Sequence, residues 1–258
     1  MQRSIVFFLT LASVGWAKGG TVSHPIPAGQ PFPTPTGILF PSITSAGGTN
    51  AAALPLAGKL TAVQAGYSKG TSSDPEQYLA SVAATSKNFG LNLGYLGTKV
   101  GGSQVNGGFV GAGFFLQPVA MGINLRDDDV NGGASPSVDL GLIANEQKNF
   151  TFGFVVYNLN TAAQLNAGIG FGGGKKYNME LNVLLPPFSN SNGTTAVTAA
   201  GTIYAGESVG ISFRTTYFSQ SKTYEHCFGV AGWLTETLSL FAQFTTPRTW
   251  TGGLTLAW

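Results

Sequence analysis

From about residue 58 to Trp258 the chain alternates apolar residues with polar or small ones, in about fourteen segments of roughly ten residues. A period of two marks strands whose faces meet different surroundings. The segments start near residues 58, 76, 88, 107, 118, 136, 150, 165, 175, 195, 207, 224, 235 and 249. In "SVGISFRTTYF", Val209, Ile211, Phe213, Thr215 and Tyr217 share one face, and Gly210, Ser212, Arg214 and Thr216 take the other. In "YNMELNVL", Tyr177, Met179, Leu181 and Val183 oppose Asn178, Glu180 and Asn182. In "PVAMGINLR", Val119, Met121, Ile123 and Leu125 oppose Gly122, Asn124 and Arg126.

The connections alternate as well. "SKN", "QP", "NEQKN", "GGKK", "AGES" and "LTET" are short, and most of those between them, such as "TKVGGSQVN", "RDDDVNGGAS", "PPFSNSNGTT" and "SQSKT", are longer. Short turns at one end and longer loops at the other are the pattern of a transmembrane β-barrel. An even strand count places both termini at the short-turn, periplasmic end. Charge supports this reading: only 9% of residues are charged, against about 25% in typical soluble domains. In this segmentation only Asp139, Glu180 and Arg214 fall mid-strand, all in the polar register that faces the lumen. An Arg facing lipid at mid-depth costs about 2–4 kcal/mol. A soluble β-sandwich also alternates, but it carries charges where these strands carry Asn, Ser, Thr and Gly. The expected fold is therefore all-β: a transmembrane antiparallel β-barrel of about fourteen strands, spanning 58–258.

The last eight residues, "TGGLTLAW", keep the alternation to the end, with Leu254, Leu256 and Trp258 on one side. In a bilayer the sheet must close on itself, because lipid offers no water to pair backbone groups. The final strand is thus expected to be complete and to pair with the first. Trp258 then falls in an interfacial aromatic girdle, with Phe89, Tyr95, Phe150, Tyr157, Tyr177, Tyr217, Trp233 and Trp250 as further candidates. Leu254, Leu256 and Trp258 also resemble the terminal signal read by outer-membrane assembly machinery.

Two segments precede the alternation. Residues 1–17 read as a secretory signal peptide: Arg3, an apolar run from Ile5 to Trp16, and small Gly15 and Ala17 before the cleavage point. Residues 18–57 are rich in Pro and Gly and cannot form interior strands. With Ile38, Leu39 and Phe40 among them, they are expected to form a compact hatch inside the lumen. The net charge of +2 leaves no basic footprint for nucleic acid, and one cysteine, Cys227, allows no intramolecular disulfide.

"TNAAALPLAG" (49–58) resembles the Asn-Pro-Ala-x-Leu segment before the first strand in the FadL/TodX family of hydrophobic-compound transporters, with Ala51 where that family has Pro. "KNFGLNLGY" (87–95) and "NFTFGFVVYNLN" (149–160) resemble strand phrases of that family and of its PorV-type relatives in secretion. The resemblance implies a fourteen-stranded barrel with an internal hatch of about forty residues. It also implies capture of an apolar molecule by extracellular loops and release by hatch movement or a lateral opening. The path would be lined by residues from 35–57 and by inward positions such as Asn92, Asn124, Asp139, Glu180 and Arg214.

Other motifs give way to this frame. "GIGFGG" has dinucleotide-loop spacing at Gly168, Gly170 and Gly173, but a strand follows it, so lumen-facing glycines account for it better. "GESVG" fits a nucleophile elbow at Ser208, but the elbow needs a helix next and an acid before the histidine, and only Glu225 and His226 follow, side by side. His24 has no evident partner. Asp127, Asp129, Asn131 and Gly132 imitate half a calcium loop, but Val138 stands where Glu is required; a solvated acidic loop is the expectation there, and a weak divalent site bridging lipopolysaccharide is the alternative. "NFT" and "NGT" match glycosylation acceptors, which carry little meaning in a bacterial envelope. The expectation is a non-enzymatic, cofactor-free transporter of the bacterial outer membrane, admitting hydrophobic, fatty-acid-like molecules. Its expected partners are outer-membrane lipid and lipopolysaccharide, the assembly machinery and the ligand. A general porin for small solutes and a PorV-like secretion or structural protein are the rivals.

Overall fold

The computed structural model describes residues 38–40, 49–69, 76–100, 103–128, 136–147, 150–172, 176–189, 195–206, 209–246 and 249–258. The expected signal peptide, residues 18–37 and 41–48 of the expected hatch, His24, Ser208, Asp129, Asn131 and Gly132 lie outside them. Fourteen strands form one closed antiparallel barrel: β1 (Leu60–Lys69), β2 (Glu76–Thr85), β3 (Phe89–Val100), β4 (Ser103–Leu116), β5 (Val119–Asp128), β6 (Pro136–Gln147), β7 (Phe150–Tyr157), β8 (Gln164–Gly172), β9 (Tyr177–Leu184), β10 (Ala196–Ala205), β11 (Val209–Phe218), β12 (Thr223–Trp233), β13 (Leu238–Thr245) and β14 (Thr249–Ala257). Each strand pairs with its sequence neighbours, and β14 closes on β1. The seam runs to the last residue: Thr61 N donates to Trp258 O and Trp258 N to Thr61 O, both at 2.9 Å. A buried unpaired amide costs about 2–7 kcal/mol, so the terminal strand has a strong reason to finish in register.

Every strand starts within four residues of its expected position, the largest error being at β4. There the sequence suggested a loop over 98–106, but β3 and β4 extend through most of it and leave only residues 101 and 102 between them. Similarly, part of the expected turn 145–149 belongs to β6, whose pairing with β7 shifts register between Ala144 and Gln147. Elsewhere the registers run without a break.

The outer face is apolar, and the inner face mixes polar with apolar side chains. Leu91, Leu93, Val110, Ile123, Leu140, Phe154, Leu181, Ile211 and Val230 are exposed on the outside. Gln64, Ser81, Asn92, Asn124, Thr151, Asn178, Asn182, Ser212, Gln243 and Thr255 are buried on the inside. Aromatic pairs ring the outer face at both ends. Near the longer loops stand Tyr67–Tyr78, Tyr217–Tyr224 and Phe244–Trp250; near the short turns stand Phe89–Phe114 and Phe150–Phe171. Such girdles suit the headgroup level, where amphipathic rings settle. Two girdle candidates point inward instead. Tyr157 is buried in an internal apolar cluster, and Trp233 packs inside against Ala231 and Phe241. Each lies at an odd-numbered position of a strand whose odd positions face in, so strand parity overrides its place near a strand end.

Because exposed Leu181 sits mid-strand on the outer face, Leu181→Arg should destabilise the lipid-embedded barrel by about 2–4 kcal/mol. Denaturant unfolding in vesicles measures this, and a loss below about 0.5 kcal/mol would contradict a lipid-facing wall at that depth.

Candidate functional site: the lumen and its insert

Inside the barrel lie a 3-10 helix, Ala51–Ala57, which leads into β1 at the short-turn end, and the buried tripeptide Ile38, Leu39 and Phe40. Asn50 organises both. It caps the helix, its Oδ1 accepting from Ala52 N (3.1 Å), and its Nδ2 donates to Ile38 O (2.9 Å). One fully buried side chain thus joins two stretches of chain that the sequence separates. At the other end Gly58 takes φ +76°, a left-handed value that favours glycine, and turns the chain into β1. Thr85 Oγ1 secures this turn by donating to Gly58 O (2.7 Å).

The wall is shaped to receive this insert. Six successive strands each present a lumen-facing glycine to it: Gly90, Gly113, Gly122, Gly141, Gly153 and Gly170. A Cβ at Gly90 would lie 2.6 Å from Leu54 Cβ, and one at Gly170 would lie 2.7 Å from the Phe40 ring. A Cβ at Gly113, Gly122 or Gly141 would run into Ala51 O, Ala52 N or Asn50 Oδ1, respectively. Gly168, from the same "GIGFGG" motif, also faces the lumen, and Gly173 lies outside the described residues. Around the glycines, Ala120, Ile143, Val155 and Tyr157 pack with Ile38, Leu39 and Phe40 into an apolar cluster within the lumen.

The three ionic residues expected in the lumen each have separate partners. Glu180, on β9, accepts from Leu39 N and Phe40 N (3.2 Å each) through Oε2, while Asn182 Nδ2 donates to Oε1 (2.6 Å). A carboxylate taking two backbone N–H groups forms charge-assisted hydrogen bonds, roughly twice as strong as neutral ones. Asp139 pairs with Arg126 (Nε–Oδ2 2.6 Å, Nη2–Oδ1 3.1 Å) and also accepts from Asn158 N (2.9 Å). Arg126 Nη2 in turn donates to Asn158 Oδ1 (3.1 Å), fixing the start of the β7–β8 loop. Arg214 Nη2 donates to Glu225 Oε1 at 2.5 Å. Arg126 and Glu225 therefore join the lumen-facing charges, which the sequence segmentation had confined to Asp139, Glu180 and Arg214. Buried pairs of this kind are costly to break, because removing one partner leaves an uncompensated charge.

The two remaining lumen candidates are structural in this arrangement. Asn92 Nδ2 donates to Val82 O across the β2–β3 pair (2.9 Å), and Asn124 faces inward beside Asp139. Leu254, Leu256 and Trp258 are exposed on the outer face of β14 and its end. Glu225 and His226 occupy opposite faces of β12: Glu225 meets Arg214 inside, and His226 Nδ1 meets Thr215 Oγ1 outside at 3.1 Å. Asp127 is exposed at the end of β5, and among the described residues no three His, Cys, Asp or Glu side chains gather into a metal site.

A closed fourteen-stranded antiparallel barrel with an apolar exterior and a polar interior defines the transmembrane β-barrel fold. No protein-family model matches the chain, and no curated protein matches its sequence. Solved structures resemble it. A bacterial polysaccharide outer membrane secretin aligns over 78% of this chain and 98% of its own, at 10% identity and a TM-score of 0.55. A KdgM porin aligns over 76% and 98%, at 11% identity and a TM-score of 0.47. A Rh. blastica porin mutant aligns over 78% and 98%, at 8% identity and a TM-score of 0.48.

Gly122→Val should test the seat. Valine suits a strand, so the barrel should form, but its Cβ displaces Ala52 at a cost of about 1–3 kcal/mol. Planar-bilayer conductance should rise well above wild type, whereas Thr255→Val, on the inner face of β14, should leave it unchanged. Equal conductance in Gly122→Val and wild type would show that the insert does not depend on this close approach.

Proposed function

We propose that this protein is a bacterial outer-membrane transporter that admits hydrophobic small molecules through a lumen closed by its own N-terminal hatch. The observation that carries the reading is the seat itself: six wall glycines and a carboxylate receive an apolar insert that Asn50 ties together inside the barrel. An open diffusion pore has no use for such a seat. Movement of Ile38, Leu39 and Phe40 would uncover Ala120, Ile143, Val155 and Tyr157, a ready apolar surface. Concave, mostly apolar sites with a few polar groups are what small hydrophobic ligands occupy. The likeness of 49–58, 87–95 and 149–160 to FadL/TodX phrases agrees with that use.

In this proposal both termini lie on the periplasmic side, and the exposed Leu254, Leu256 and Trp258 serve recognition by the assembly machinery. The unbroken pairing from β1 to β5 favours release by hatch movement over a gap in that part of the wall.

One feature favours a second reading. The inner face of β10–β14 carries Thr202, Ser212, Thr216, Ser239, Gln243, Thr251 and Thr255, a surface suited to water and small polar solutes. Proteoliposomes decide between the two. The transporter should exclude sugars in swelling assays yet pass a fluorescent long-chain alkyl probe faster than protein-free vesicles. Sugar-driven swelling by the wild type would select the general porin. Exclusion of both, with a protein partner retained in mild detergent, would select the secretion or structural role.

A further inference from the structure

The outer wall over β1–β5 differs from the rest of the exterior, and transport does not use it. A groove of about 670 Å³ lies there, walled by Val63, Val82, Leu93, Tyr95, Val110 and Leu125. Its floor is low because small Ala80 and Gly108 occupy outward positions in the row through Tyr95.

The rows beyond the groove change character in order. Two residues further along each strand, a step of about 7 Å, stand Tyr67, Tyr78 and Asn106. Tyr95 Oη reaches up to donate to Asn106 Oδ1 (2.7 Å), and Tyr78 Oη donates to Glu76 Oε2 (3.2 Å). One row further stand Lys69, Glu76, Lys99 and Gln104. Lys69 Nζ pairs with Glu76 Oε1 (2.9 Å), and Lys99 lies across from Glu76 on the next strand. Both lysines are exposed. Among the described strand residues, Lys69 and Lys99 are the outward-facing cations, since Arg126 and Arg214 point into the lumen. Both fall directly above this one groove. Asp127 borders the far side of the groove, on β5, and repels an anion there.

We propose that this wall is a binding site for a phosphorylated acyl lipid. A hydrocarbon chain lies in the groove, the tyrosine hydroxyls and Asn106 meet the ester level, and Lys69 and Lys99 hold the phosphate. The order of surfaces from apolar to hydroxyl to cationic matches the order of groups along such a lipid. Glu76 offsets one of the two lysine charges, so the row keeps one net positive charge to meet a phosphate. The site depends only on the outer face lying in lipid, so it stands or falls apart from the transport reading.

The test is native mass spectrometry of the full-length protein, extracted in mild detergent and offered equal amounts of dioleoyl phosphatidate and dioleoylglycerol, which differ by the phosphate alone. Wild type should retain phosphatidate in preference. The Lys69→Gln, Lys99→Gln double variant should bind it about thirtyfold more weakly. Gly108→Trp, which fills the groove, should also lose it, and Ile203→Trp on another part of the wall should keep it. Heat-modifiable gel mobility reports which variants fold, and Ala80→Phe replaces Gly108→Trp if that variant does not. Equal retention of the two lipids, undiminished retention in the lysine variant, or undiminished retention with the groove filled would overturn the proposal.

Discussion

The absence of water from a bilayer governs this structure. Each backbone N–H and C=O in the membrane must find its partner in the sheet, so the sheet can have no edge. The reciprocal bonds between Thr61 and Trp258 meet that demand at the one place where the chain could otherwise leave an edge open. Once closure is fixed, the alternation of faces follows. Odd and even positions meet hydrocarbon or lumen, and a slip of one residue would exchange them. Tyr157 and Trp233 illustrate how strict this is. Both are aromatic and near strand ends, yet parity sends them inside.

The lumen reverses the usual rule for a barrel interior. Where the insert approaches most closely, six strands present glycine, and the insert joins Ala120, Ile143, Val155 and Tyr157 to supply the apolar filling. Polar groups then tie the insert down. Asn50 binds the insert to itself, and Glu180 binds it to the wall. The described part of the insert thus combines apolar packing with directional hydrogen bonds to the wall.

Much of the barrel was legible in the chain because its cause is local: period-two alternation, short turns and avoidance of charge on one face. The β3–β4 hairpin was misjudged because Gly, Ser and Asn in 98–106 read as loop residues, although both strands continue through them. The ion pairs were less legible. Arg126 and Asp139 are 13 residues apart, and Arg214 and Glu225 are 11 apart, so only the strand register shows that they meet. The glycine seat was least legible. Its members come from six strands and acquire a common purpose only after the barrel closes. Asn50 did carry a signal, an asparagine immediately before an alanine-rich run, which is a helix-capping pattern.

Accessibility of spin labels placed one at a time along β9, from Tyr177 to Leu184, tests the central claim most directly. In lipid vesicles, labels at Tyr177, Met179, Leu181 and Val183 should collide readily with oxygen, which partitions into hydrocarbon. Labels at Asn178, Glu180 and Asn182 should be shielded from it. Equal accessibility along the strand, or access of a water-soluble relaxant to Leu181, would contradict a closed barrel with its apolar face in the membrane.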